Sequence, residues 1–126
     1  MRMDKLTNPL QNVLADAQSL AVGRDQQFIE PIHILKALLD QSGGSAVPLL
    51  QKAGANGSKL AGDVNDALSL VPTVKGGRGD VHLSQDSSRL LNRADKLAQI
   101  RQDAYLSSEL VLLAMADASS PVAKLL

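Results

Sequence analysis

The chain says one thing twice. Residues 6–40 and 83–117 align without gaps at an offset of 77, and nine of the thirty-five positions are identical. They are Leu6/Leu83, Leu14/Leu91, Ala17/Ala94, Leu20/Leu97, Ala21/Ala98, Arg24/Arg101, Leu35/Leu112, Ala37/Ala114 and Asp40/Asp117. Other pairs keep their chemistry: Thr7/Ser84, Val13/Leu90, Phe28/Tyr105, Ile29/Leu106, Ile34/Val111 and Leu38/Met115. The shared positions are mostly apolar or helix-capping. Two copies of one helical unit have to share those, because the core and the helix starts set the fold. Chance likeness between two amphipathic helices does not readily explain paired aromatics, each followed by an apolar residue and a helix start.

Within the first copy, Leu6, Leu10, Val13, Leu14, Ala17 and Ala21 recur at helical spacing. They predict a helix over 8–22 with Thr7 as cap, Pro9 in the first turn and Gly23 as stop. Pro31 starts a second helix with Ile32, Leu35, Leu38 and Leu39 on its apolar face, ended by the "SGG" of 42–44. A short third helix covers 45–53. A fourth carries Leu60, Val64, Ala67 and Leu68 and closes at Pro72. "TVKGGRGDVH", 73–82, has three glycines and no helical period, and is expected to be a flexible linker. The second copy then follows, with Ser84 as cap and Leu90, Leu91, Ala94, Leu97 and Ala98 on one face. Ser107 caps a helix with Leu110, Val111, Leu113 and Ala114 as its apolar residues. The reading is all-α: two tandem four-helix repeats, the first over about 1–72 and the second over 83–126, in one domain. The second lacks a counterpart of the helix near 58–70, so the chain reads as a fragment or as the ordered part of a longer one.

Composition narrows the function. Thirteen basic and thirteen acidic side chains cancel, giving no electrostatic reason to expect nucleic acid or an anionic membrane. Phe28 and Tyr105 are the only aromatics, too few for base-stacking platforms. No Cys is present, which removes thiol chemistry and Cys-based zinc sites and suits the cytoplasm. There is no apolar run long enough for a membrane span or a signal peptide, so Met1 reads as the natural start. "KGGRGD", 75–80, lacks the Lys-Ser/Thr of a phosphate-binding loop, and no GxSxG or HExxH occurs. His33 and His82 have no partner at metal spacing, and the carboxylates form no evident acid–base pair. The residues show no catalytic constellation and no cofactor-binding motif.

Several stretches together carry a family resemblance: "LADAQSLA", "QFIEP", "PLL..AG" at 48–54, and "DKLAQ" with "SSEL" in the second copy. They resemble the N-terminal domains of ClpB-type disaggregases, which are Clp-type AAA+ chaperones. The resemblance implies pseudo-twofold-related repeats and a mobile appendage that captures unfolded or aggregated polypeptide for a homohexameric ATP-driven motor. ATP and Mg would belong to rings beyond Leu126, the fragment itself would be monomeric, and cooperation with the DnaK chaperone system is implied as well. Positions matching Thr7, Leu91, Asp103, Glu109 and Leu110 are associated in such domains with substrate engagement, through an apolar groove at the seam between repeats. Each also has a purely structural reading. Thr7 can be a cap, Leu91 core, Asp103 a solvated loop residue, and Glu109 a carboxylate favoured by the helix dipole. Docking of a folded adaptor protein is the alternative function, and a small helical enzyme a third.

Overall fold

A computed structural model describes residues 3–73, 81–117 and 123–125. Among them are six α-helices: α1 (Asn8–Gly23), α2 (Pro31–Asp40), α3 (Ala46–Lys52), α4 (Gly57–Ser69), α5 (Gln85–Ile100) and α6 (Ser108–Met115). Single 3₁₀ turns occupy Met3–Lys5 and Ala123–Leu125, the latter against α4. The linker expected over 73–82 lies largely outside the described residues. The architecture is all-α, in two tandem repeats.

The helix starts are where the side chains put them. Thr7, Ser84 and Ser107 each stand in extended backbone, and their hydroxyls accept from the N–H of Leu10, Ser87 and Leu110. Asn56 does the same for α4. A hydroxyl or amide oxygen there satisfies a donor that the helix cannot. The stop of α1 differs from expectation. Gly23 is still helical, and the left-handed residue is Asp25, at φ 56°. Its partner 77 residues on, Gln102, has φ 60°. Gln26 N–H donates to the Ala21 carbonyl at 2.9 Å, and Asp103 N–H to Ala98, also at 2.9 Å. The same chain reversal is made twice in one register.

Two short parallel pairings join the repeats. Strand β1 (Phe28–Ile29) pairs with β2 (His82–Leu83), setting Ile29 opposite Leu83. A separate bridge sets Leu6 opposite Leu106. A 77-residue shift turns Leu6 into Leu83 and Ile29 into Leu106, so each pairing is the image of the other. The hydrogen bonds agree. Thr7 N–H donates to the Leu106 carbonyl at 3.0 Å, and Ser84 N–H to the Ile29 carbonyl at 3.1 Å. This exchange is the mark of a pseudo-twofold axis.

Helix α2 sits at the centre and packs against α1, α3, α4, α5 and α6. A helix surrounded in this way has to be apolar nearly all round. Seven of its ten residues are buried, including His33. The expected face of α6 needs one correction. Leu112 and Met115 join Leu110, Val111 and Ala114 in the core, whereas Leu113 is 52% exposed.

Candidate functional site

Between the repeats lies a cleft of about 520 Å³. The start of α1 forms one wall with Thr7, Pro9 and Asn12; the start of α6 forms another with Ser107, Ser108 and Glu109. The loop between α2 and α3, from Gln41 to Ser45, crosses between them. The pairing of Leu6 with Leu106 brings the two helix starts together, because each of those leucines lies one residue before a cap.

The loop is tied to the start of α1 at one end. Gln41 Nε2 donates to the Pro9 carbonyl at 2.9 Å. Hydrogen bonding by Ser45 is the main cause of the Glu109 pKa lying below the ordinary carboxylate value. Partial burial of Glu109 opposes this, while its own backbone N–H and Ser107 add to it. Gly43 turns the loop at φ 71°, where a side chain is strained. A Cβ on Gly44 would meet Gln41 Oε1 at 2.8 Å, so the bare backbone lets Gln41 reach Pro9.

The five residues singled out by resemblance do not form one apolar groove. Thr7 and Glu109 meet in the cleft. Leu91 and Leu110 are each 3% exposed and belong to the core. Neither of these two leucines is therefore open at the seam. The reason is packing: α5 and α6 press on each other and both press on α2, so these two side chains are enclosed. Asp103 is exposed but does not line the cleft. Its carboxylate faces Arg101 Nε at 3.3 Å, while its N–H closes α5.

Of the residues lining the cleft, sequence reasoning singled out only Thr7 and Glu109 as site residues; the loop entered only through the "SGG" that ends a helix, and Ser108 only within "SSEL". Ser108 is 5% exposed, and its hydroxyl has no hydrogen-bond partner among the described residues. A second hollow, about 460 Å³, lies between α5 and α6 over Leu97 and Leu113, rimmed by Arg93 and Asp117 at 2.8 Å. Among the described residues no cluster of His, Asp or Glu could hold a metal ion. No described helix is long and apolar enough to cross a membrane.

A mostly helical double repeat with reciprocal pairings and a cleft at the junction defines an N-terminal module of the Clp type. Residues 5–126 match the Clp repeat N-terminal domain, and the chain belongs to that family. It is 51% identical over its whole length to the chaperone protein ClpB of Pseudomonas putida, and 46% identical to ClpB of Vibrio cholerae. In both cases it spans 15% of the relative's length. Solved structures agree on the fold. The Hsp104 N-terminal domain of Candida albicans superposes with a TM-score of 0.86 at 20% identity, covering 96% of this chain and 79% of that one. The N-terminal domain of the ClpV1 ATPase from E. coli gives 0.84 at 23% identity, covering 98% of this chain and 72% of that one.

Proposed function

We propose that this domain is the client-capturing module of a ClpB-type ATP-dependent disaggregase, holding unfolded or aggregated polypeptide weakly and passing it to the motor. The observation that carries this reading is the 51% identity to a ClpB chaperone along the entire chain. A cleft with Thr7 and Glu109 in its lining supports the reading. Its lining of small side chains, with no large apolar anchor, supports weak binding. Each neutral hydrogen bond is worth about 1 kcal/mol net, whereas association costs about 4 kcal/mol or more. Several copies around one homohexameric ring raise the local concentration and make weak capture sufficient. In this reading ATP and Mg act only in the rings, and the cytoplasmic DnaK system is a partner of the whole chaperone.

Titrating the domain into a fluorescein-labelled, permanently unfolded polypeptide tests the proposal by anisotropy. Saturable binding in the high micromolar range is expected, with none to the folded form of the same polypeptide. Binding to the folded form alone would favour the adaptor-docking alternative. Absence of binding to unfolded chains, by the domain and by the intact chaperone, overturns the proposal.

A further inference from the structure

Thr7, Ser84 and Ser107 cap their helices with hydroxyls, whereas α4 is capped by a carboxamide, that of Asn56, whose oxygen accepts from the Lys59 N–H at 3.2 Å. The residue after it is Gly57, and this is the only Asn-Gly step in the sequence. A carboxamide is open to a reaction that a hydroxyl is not. Its carbon is an electrophile, and the nitrogen of the next peptide can bond to it and close a cyclic imide. Asn56 and Gly57 are both exposed. A Cβ on Gly57 would meet nothing within 4 Å, so open space surrounds the attacking residue. As the first residue of α4, Gly57 has an N–H without an acceptor in the helix, and it makes no other backbone bond among the described residues. The other asparagines are closed to this route. Asn8 precedes Pro9, whose nitrogen carries no hydrogen. Asn12, Asn65 and Asn92 lie inside α1, α4 and α5, where the next N–H is held by the helix ladder and the next residue carries a side chain. At Asn56 the cap bond commits the carboxamide to Lys59, so the reaction waits on fraying of the first turn.

We propose that Asn56 is a site of spontaneous modification, at which Gly57 cyclises on the Asn56 side chain and water reopens the ring to aspartate or isoaspartate. The Gly57 nitrogen gives its proton to solvent and bonds to Asn56 Cγ; the Cγ–Nδ2 bond breaks, and that nitrogen takes up a proton and leaves as ammonia. Water then adds to one of the two imide carbonyls. Opening at Cγ leaves aspartate. Opening at the main-chain carbonyl leaves isoaspartate, with the chain routed through the side-chain carbons. Water is the only co-reactant. The aspartate still caps, and its charge suits the positive end of α4. The isoaspartate adds a main-chain atom directly before Gly57 and removes the cap. The first turn of α4 leads into Leu60, 5% exposed, which with Leu39, Val47 and Leu50 lines a hollow of about 210 Å³ between α2, α3 and α4. Ageing of the protein thus loosens the packing of α4 on the central helix.

The test holds the protein at physiological temperature and pH and digests samples with trypsin, which cuts after Lys52 and Lys59 and releases the segment between them. Mass spectrometry finds the gain of amide-to-acid conversion at Asn56, about fivefold slower than in the free peptide of that sequence, since the cap has to open first. Asn12, Asn65 and Asn92 stay unchanged over that time. Gly57→Ala slows the conversion about tenfold, because a Cβ beside the nitrogen hinders its approach. Its fold is safe, since the position has room and its backbone is not left-handed. The isoaspartate fraction melts about 4 °C below fresh protein, whereas Asn56→Asp melts with fresh protein. Asn56→Ser, which keeps a hydroxyl cap, holds its Tm through the same incubation. Absence of conversion over the time in which the free peptide converts completely overturns the site. Equal conversion at the other asparagines, or an unchanged rate in Gly57→Ala, overturns the cyclisation by Gly57. An isoaspartate fraction that melts with fresh protein overturns the loosening of α4.

Discussion

Protonating His33 would set two donors face to face. Its Nδ1 accepts from the Glu30 N–H at 2.8 Å, so Nε2 carries the proton and donates to Gln26 Oε1. Gln26 in turn donates to the Val71 carbonyl at 3.4 Å. The ring is fully buried, and burial lowers its pKa below the ordinary 6.5; Glu30 opposes the shift and Arg24 assists it. The unfolded chain therefore binds this proton more readily than the folded one. Its contribution is complete above about pH 6.5 and is lost as pH falls from there toward the folded pKa. Denaturant melts at neutral and mildly acidic pH are expected to show stability falling on acidification. In His33→Leu, which copies the residue 77 positions on, that slope is absent, and neutral-pH stability drops by about 1–3 kcal/mol for the partners left unpaired. Glu109 acts lower down: its depressed pKa gives stability that is lost only as pH falls below the ordinary carboxylate value of 4.5. Leu110 gives a different expectation. It is core, so Leu110→Ala costs about 2–5 kcal/mol in chemical denaturation. A change in client affinity with unchanged stability would show the leucine working at the surface instead.

Among the elements, the caps and the apolar periods could be read directly. Thr7, Ser84 and Ser107 each cap the helix that their position implied, because capping is decided by neighbours a turn away. What covers a helix face depends on other parts of the chain. For that reason Leu91 and Leu110 read equally well as groove or core, and only the placement of α2 across both repeats decides for core. The α1 stop was missed for a similar reason. Gly23 is the residue best suited to a left-handed turn, yet the reversal falls on Asp25, where the Gln26 N–H can reach Ala21. Both repeats thus hold a non-glycine residue in the strained left-handed region, Asp25 and Gln102. Asp25→Gly and Gln102→Gly are each expected to stabilise by up to about 1 kcal/mol, and additively, because the two sites are separate. Thermal melts of the single and double variants check this. A loss of stability in either variant would mean that the replaced side chain has a role beyond the turn.

For the molecule as a whole, the repeat was legible but the manner of its closure was not. Similarity at a fixed offset says that two units share a fold, and it leaves open which surfaces meet. The meeting is made by segments just before helices, Leu6 with Leu106 and Ile29 with Leu83, too short to read as strands. The carbonyl of Ile29 takes bonds from both Ser84 N–H and the buried Ser87 hydroxyl, at 3.1 and 2.6 Å. With α2 packed into both halves, neither repeat can open without exposing the other's core. One cooperative denaturation is expected, with the amides of Thr7, Ser84 and Leu106 exchanging at the rate of global unfolding. Faster exchange at these amides than in α2 would show the halves parting first.

Because each pairing mirrors the other, an ancestor with a single copy could have made the same contacts only with a second molecule. Duplication within one chain frees that encounter from dilution and from the demand that both partners stay identical. The two junctions differ in chemistry: one has Thr7, Ser108 and Glu109 where the other has Ser84, Pro31 and Ile32. An internally duplicated body is thus free to present unlike faces at its two junctions.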